Sequence, residues 1–178
     1  MSLRFGLLGL LAANPSSGYD LKRTITRSTY YIWNATGPQI YTTLHKLRED
    51  GYITTEDLAQ RGKPDKQIHT ITPVGRAALE EFMSEPIRAS VTRDEVLLRI
   101  FFGNLANPAA MRRELEAYLD RIREERAAME GAEARITSNP GTKHEARRYQ
   151  LLSLRIKVAQ YRATEAELMA FMSSTPRK

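Results

Sequence analysis

The sequence predicts a mainly α-helical fold with one small β-hairpin, divided into an N-terminal and a C-terminal domain. Apolar residues recur at helical spacing through most of the 178 residues. One stretch, near residues 52–71, instead alternates apolar and polar residues around a turn-rich, basic tip. Long helical patterns without strands follow it, so we place the domains at residues 1–88 and 89–178.

Composition narrows the classes of function. The chain contains no Cys, which excludes disulfides and thiolate metal sites and is consistent with a reducing cytoplasm. Its first apolar run is too short to span a bilayer, and no small-residue cleavage site follows it, so no contact with a membrane is expected. The net charge of +6 is compatible with a nucleic-acid partner.

The first two helices are bounded by simple signals. The apolar stretch 3–13 predicts a buried first helix, which Asn14-Pro15-Ser16 ends. A second helix is expected to begin at Ser17 or Gly18. Its predicted core residues are Tyr19, Leu21 and Ile25.

The segment TGPQIYTTLHKLREDGYI, from Thr36 to Ile53, predicts a third helix. Thr36 can cap its start, Pro38 suits the first turn, and Gly51 suits its end. The stripe expected to be buried consists of Ile40, Leu44 and Leu47. The opposite face carries Gln39, Thr42, His45 and Lys46, which are polar and mostly uncharged.

A hairpin and a fourth helix complete the N-terminal domain. Strands are expected at residues 52–58 and 67–71, joined by the basic tip 61–66, and Thr72-Pro73 caps a helix at 74–83. This order is that of a winged helix-turn-helix. Its third helix can enter the major groove while the hairpin follows the backbone. A local excess of basic residues suits phosphate contact: Lys22, Arg23, Arg27, Lys46 and Arg48.

The C-terminal domain is predicted to contain a short helix at 91–102 and two long helices. The first long helix opens at Asn107-Pro108, with an apolar row of Met111, Leu115, Tyr118, Ile122, Met129 and Ile136 that is weak at Glu125 and Ala132. The second, at 143–172, carries the row Leu151, Leu154, Val158, Tyr161, Leu168 and Met172, to which we assign dimerisation. Further apolar residues widen this row: Leu152, Ile156, Ala159, Ala163 and Ala166. Since pairing within one chain needs a single row, a second copy of the chain is expected to cover the rest.

Other chemistries have little support in the sequence. The three His residues, His45, His69 and His144, are far apart and lack ligand spacing, so we expect no metal. No nucleophile elbow or glycine-rich phosphate loop is present, so we expect neither catalysis nor a cofactor. Tyr30, Tyr31 and Trp33 either line a pocket for a small aromatic effector between the domains, belong to the core, or cover the entry to the third helix.

The chain resembles the PadR-family transcriptional regulators. The residues that carry the resemblance are LGLLAANPSSGYDLKRTI, IWNATGPQIYTTLHKLREDGYI and GKPDKQIHTITPVGRAALEEF, and RDEVLLRIFFGNL resembles the start of the longer C-terminal domain of one branch. The resemblance implies a cytoplasmic homodimer that binds palindromic promoter DNA, usually as a repressor, and that a small molecule can release. A winged-helix module for protein interaction is the alternative, because fold does not fix function.

The resemblance also implies which residues contact double-stranded DNA. By position they are Tyr19, Gln39, Tyr41, Thr42 and Lys46, with Lys63 and Lys66 on the wing, and Lys22 joins them from the basic patch. Two departures from the family pattern concern the operator sequence and the wing. Thr42-Thr43 stands where many relatives have Pro-Ala after the helix Tyr, and His69 stands where many have Tyr.

Overall fold

The computed structural model describes residues 3–26, 35–58, 66–87, 94–138 and 144–174, except the side chain of His144. The chain divides into two compact units, Met1–Arg88 and Ala89–Lys178. The first unit holds the elements α1 (Leu3–Ala13), β1 (Ser16–Ser17), α2 (Gly18–Thr24), α3 (Gly37–Glu49), β2 (Ile53–Leu58), β3 (Lys66–Ile71) and α4 (Pro73–Ser84). The second holds α5 (Glu95–Phe101), a 3-10 helix (Gly103–Leu105), α6 (Pro108–Ser138) and α7 (His144–Ser174). The predicted fold class is confirmed.

Helix α3 forms where its sequence signals place it. Thr36 is the N-cap and Pro38 lies in the first turn, where a missing backbone N–H costs nothing. Gly51 ends the helix with φ of 73°, in the left-handed region that other residues avoid. Ile40, Leu44 and Leu47 are buried as predicted.

The core of the first unit lies among three helices and the start of β2. Leu7, Leu8 and Leu11 of α1 pack with α2 and α3, and Ile53 joins the same cluster. The Phe5 and Phe82 rings stack at 4.0 Å between centroids, which holds α4 against α1. This packing buries one side of α3 and leaves its other side exposed.

The sheet has three antiparallel strands in the order β1-β3-β2. Strand β1, which the sequence analysis missed because Asn14-Pro15-Ser16 indicated only a break, pairs Ser16 with His69 and Ser17 with Ile68. The hairpin pairs Ile53 with Ile71 and Leu58 with Lys66. β1 therefore connects the hairpin directly to the start of α2.

The junction of α3, the hairpin and α4 is tight. The Thr72 hydroxyl donates to Gly51 O at 2.8 Å, and Thr72 N donates to Tyr52 O at 3.0 Å. A Cβ on Gly75 would stand 2.1 Å from Tyr52 O, so only Gly lets α4 approach this closely. The hairpin is therefore fixed at its base relative to α3.

In the second unit, α6 and α7 pack as an antiparallel pair. Ion pairs link them in reverse order along the chain, from Arg155 with Glu133, through Arg162 with Glu130, to Arg123 with Glu165. The residues buried on α6 are Leu115, Leu119, Ile122, Met129 and Ala132. Ala132, expected to be a weak position, is buried, and Glu125 accepts a hydrogen bond from the Tyr161 hydroxyl.

The prediction that Tyr19 belongs to the core is wrong. Tyr19 is 65% exposed, whereas Leu21 and Ile25 are buried as expected. Tyr19 lies in the first turn of α2, where its ring centroid is 5.9 Å from Cζ of Arg23. Its burial would have required a wider contact face than a seven-residue helix offers.

Candidate nucleic-acid interface

The outer face of α3 is the centre of the candidate interface. The exposed side chains on it are those of Gln39, Tyr41, Thr42, His45 and Lys46. They combine amide, hydroxyl, imidazole and ammonium groups, which suit hydrogen bonding to base edges and phosphates. Because Ile40, Leu44 and Leu47 anchor the other side, this face is held rigidly outward.

The start of α3 is fixed by a reciprocal cap. Oε1 of Gln39 accepts from Thr36 N at 2.9 Å and from the Thr36 hydroxyl at 3.1 Å. The Thr36 N–H can only donate, so it establishes which end of the amide is oxygen. The Nε2 group of Gln39 is therefore the end that is left for a ligand.

Helix α2 lies beside this first turn. The Nζ of Lys22 is 3.7 Å from the position that a Cβ would take on Gly37, so its charge stands at the N-terminus of α3. The Tyr41 ring packs on Gly18, where an added Cβ would stand 2.5 Å from Cε1. Gly18 therefore allows α2 and α3 to converge and sets the position of Tyr41.

A charged cluster joins α2 to the hairpin. Asp20 Oδ2 lies 2.8 Å from Lys66 Nζ, and Asp20 Oδ1 lies 3.0 Å from Nη2 of Arg23. The Ser17 hydroxyl donates to Asp20 Oδ2 at 2.7 Å. Hydrogen bonds from Lys66 and then Ser17 lower the pKa of Asp20 below its usual value near 3.8, so the carboxyl is ionised at neutral pH.

The structure brings most of the predicted residues to one region of the first unit. Those on α2, α3 and the hairpin are Tyr19, Lys22, Gln39, Tyr41, Thr42, Lys46 and Lys66. Four predicted residues, Lys63, Tyr30, Tyr31 and Trp33, lie outside the described residues. The DNA contacts and the effector contacts themselves stay predictions.

Sequence reasoning missed two features of this region. The capping box has a local signal, Thr36 followed three residues later by Gln39, which could have shown that Gln39 also holds the helix. The pairing of Asp20 with Lys66 has no local signal, because it depends on the path of the hairpin.

His69, one of the departures from the family pattern, does not face a ligand. Its side chain is 7% exposed, and its Nδ1 lies 2.9 Å from the Thr55 hydroxyl across the β2–β3 ladder. Burial first, and the charge of Arg48 second, lower its pKa from the usual value near 6.5. His69 is thus a neutral residue inside the hairpin.

Helix α7 carries two apolar rows on nearly opposite sides. In the row assigned to dimerisation, Leu154, Val158 and Leu168 are buried within the chain, and Leu151 and Tyr161 are half-buried. These side chains are already covered by their own chain. The second row, spaced alternately by three and four residues, is exposed throughout: Tyr149, Leu152, Ile156, Ala159, Ala163, Ala166 and Ala170.

Comparison with known proteins agrees with both units. Residues 7–81 match the transcriptional regulator PadR-like family, and residues 92–166 match the family described as virulence activator alpha C-term. The probable transcriptional regulator Rv1176c of Mycobacterium tuberculosis is 33% identical over 172 residues, which cover 87% of each chain. The chain belongs to the PadR-like family of transcriptional regulators.

Other relatives and solved structures extend this PadR-like assignment. The negative transcriptional regulator PadR of Bacillus subtilis is 33% identical over 102 residues, 56% of each chain. The crystal structure of smu.1604c from Streptococcus mutans UA159 has a TM-score of 0.86 at 25% identity, covering 98% of this chain and 100% of that one. Bacillus subtilis PadR in complex with operator DNA has a TM-score of 0.82 at 22% identity, with 97% of each chain covered. The same protein has also been solved with p-coumaric acid.

The PadR-like assignment agrees with the expectation that the chain is a regulator and not an enzyme, since its relatives are transcriptional regulators. Among the described residues, no helix combines the length and apolar character that crossing a membrane requires.

Proposed function

We propose that this chain binds double-stranded promoter DNA through the outer face of α3, with α2 and the hairpin contacting the flanking backbone. One observation carries the proposal. The polar face of α3 is exposed on a helix whose other face is locked into the core, and Lys22 stands at its start. A helix presented in this way matches the dimensions of the major groove. The operator complex of Bacillus subtilis PadR supports the proposal.

Within this face, we assign two kinds of contact. Lys22, Lys46 and Lys63 contact phosphates, while Gln39 and Thr42, nearer the helix start, reach base edges. Lys66 is paired with Asp20 and adds a weaker phosphate contact. Tyr19 and Tyr41 flank them. A winged-helix module for protein interaction is disfavoured because such a module would present apolar anchors on α3, and this face is mainly polar.

The experiment is a binding titration on a labelled duplex from the region upstream of the chain's own gene, with a shuffled duplex as control. Specific binding predicts a lower Kd on the upstream duplex, and phosphate contacts predict weaker binding to both duplexes as salt rises. Equal, salt-independent binding to the two duplexes would reject the proposal.

We further propose a cytoplasmic homodimer that binds a palindromic site. The exposed second row on α7 supports this, because a second copy can cover it by two-fold symmetry. Binding to a palindromic site requires the two α3 helices of such a dimer to reach half-sites about one turn of DNA apart, on the order of 34–36 Å.

We also propose that the protein represses transcription and that a small aromatic effector releases it from DNA. The negative regulator among the relatives and the p-coumaric acid complex of that protein support it. Trp33 is the single Trp of the chain, so its emission reports on the effector site that we assign to Tyr30, Tyr31 and Trp33. Titration with phenolic acids should release DNA and quench Trp33 together. Release of DNA with unchanged emission would place the effector elsewhere.

Repression itself is tested in the cell. Deleting the gene should raise transcription from the promoter that the protein binds. Unchanged or lower transcription would contradict repression and leave DNA binding intact.

A further inference from the structure

Asp20 is an acidic residue in the middle of the candidate nucleic-acid interface. Its neighbours on α2 include the exposed Tyr19 and Lys22, and its carboxylate contacts two cations, Lys66 and Arg23. A negative charge at this place opposes phosphate binding. The presence of an acidic side chain beside predicted phosphate contacts therefore needs a physical explanation.

The carboxylate is held in place from both sides. The Ser17 hydroxyl donates to Oδ2 at 2.7 Å, and the backbone N–H of Asp20 lies 3.2 Å from the same hydroxyl oxygen. Ser17 is 4% exposed and belongs to β1, which is paired with β3 at Ile68. The carboxylate of Asp20 cannot turn away from the hairpin without breaking the bond from the Ser17 hydroxyl.

The fixed position of the Asp20 carboxylate affects Lys66. This residue begins β3, at the end of the segment that joins the two hairpin strands, where wing lysines are expected to meet phosphate. Its Nζ is instead 2.8 Å from Asp20 Oδ2. Together Asp20, Lys66 and Arg23 carry a net charge of about +1, where the two cations alone would supply +2.

We propose that Asp20 is a positioning residue that holds Lys66 against α2 and withholds one positive charge from the DNA backbone. This weakens binding to DNA of any sequence and leaves discrimination to the outer face of α3. The inference rests on the proposed DNA-binding function and deepens it, because it states how the chain limits non-specific affinity.

The test compares full-length variants on a random-sequence duplex over a range of salt concentrations. Asp20→Asn keeps the shape and the bond to Ser17 while removing the charge. It should tighten binding to random DNA several-fold and steepen the dependence of log K on log salt by about one unit. Affinity for the upstream duplex should rise by a similar factor, so the ratio of the two affinities should stay near that of the wild type.

Asp50→Asn is the matched control. Asp50 follows the last turn of α3 and pairs with Arg4 at 3.4 Å, so this variant makes the same change of net charge at another ion pair. We expect Asp50→Asn to change the slope of log K against log salt less than Asp20→Asn does. Equal steepening by both variants would overturn the inference, because it would show an effect of net charge alone.

Two lysine variants test the inference with Asp20 intact, even if Asp20→Asn folds poorly. Lys46→Gln should reduce the salt slope by about one unit, and Lys66→Gln should reduce it by clearly less, since Lys66 is already paired. Equal reductions would overturn the inference. So would unchanged or weaker binding of folded Asp20→Asn to random DNA. Absence of salt-dependent binding by the wild type would instead reject the proposed function itself.

Discussion

At the scale of single residues, Gln39 combines two tasks that sequence reasoning treated separately. Pairing with an adenine edge through two hydrogen bonds needs both ends of the amide. Oε1 of Gln39 already accepts from both donors of Thr36, so both of its lone pairs are engaged. Only Nε2 is left, which favours acceptors such as O6 and N7 of guanine.

Two substitutions separate these tasks. Gln39→Glu keeps an acceptor for Thr36 and forms the usual capping box, so the unfolding midpoint should stay near that of the wild type. It removes the donors, so the ratio of specific to random affinity should fall by roughly 5- to 150-fold, since a good base contact gives roughly 1–3 kcal/mol of discrimination.

Gln39→Ala loses the cap as well as the donors. It should lower discrimination similarly and also destabilise the fold by about 1 kcal/mol. Calorimetry and paired binding curves measure both effects. A wild-type affinity ratio in Gln39→Glu would show that Gln39 only caps α3.

At the scale of elements, the interface depends on the packing of α3 and on the small sheet. The inner row of α3 is buried from Ile40 onward, whereas Thr42, two residues after Ile40, is exposed. Substitutions on the two faces of α3 should therefore affect stability and DNA binding separately.

Ile40→Ala should destabilise the first unit by about 2–5 kcal/mol, because it removes apolar contacts and leaves a cavity. Thr42→Ala should change stability by less than about 0.5 kcal/mol while weakening operator binding. Chemical denaturation checks the first expectation and DNA titration the second. Comparable stabilities for the two variants would contradict the packing described for α3.

The buried His69 predicts a pH dependence of stability. Its folded pKa is lowered by burial and by Arg48, so the unfolded chain binds the proton more readily. Its contribution is fully present above pH 6.5, the usual His value, and is lost as pH falls through the lower folded pKa.

Urea unfolding at pH 7.5 and 5.5 tests this prediction. The wild type should lose more stability between the two pH values than His69→Gln does. Identical losses in the wild type and His69→Gln would exclude His69 as the cause.

The helices and strands also show which features of the fold can be predicted from the sequence. The bounds of α1, α3 and α4, the buried face of α3 and the hairpin followed from local spacing and caps such as Thr36 and Gly51. Strand β1 and the bond between Asp20 and Lys66 did not, since they depend on which distant segments meet in the fold. The helix predicted at 91–102 instead begins at Glu95, because Asp94 is its N-cap in an extended conformation. Tyr19 was misassigned because a seven-residue helix is too short for its apolar pattern to define one face.

At the scale of the whole molecule, the expectation of a dimer rests on helix α7. Its inner row packs on α6, while Leu152 and Ile156 of the outer row are 55% and 52% exposed. Large apolar side chains aligned in one row on a long helix usually mark an interface. We therefore place the dimer contact on the second row and not on the residues first assigned to it.

Ile156→Glu should convert the dimer to a monomer, because it introduces a charge into a face that would otherwise be buried. Gln150→Glu adds the same charge at an exposed position outside the row and should leave the dimer intact. Analytical ultracentrifugation distinguishes these states. A dimer of undiminished stability in Ile156→Glu would rule out the second row as the contact.

The central claim is that the outer face of α3 reads DNA, and one titration tests it most directly. The double variant Thr42→Ala/Lys46→Ala is compared with the wild type on the upstream and random duplexes at two salt concentrations. We expect loss of preference for the upstream duplex and a salt slope smaller by about one unit, with an unchanged unfolding midpoint. Wild-type affinity and preference in a folded double variant would contradict the claim.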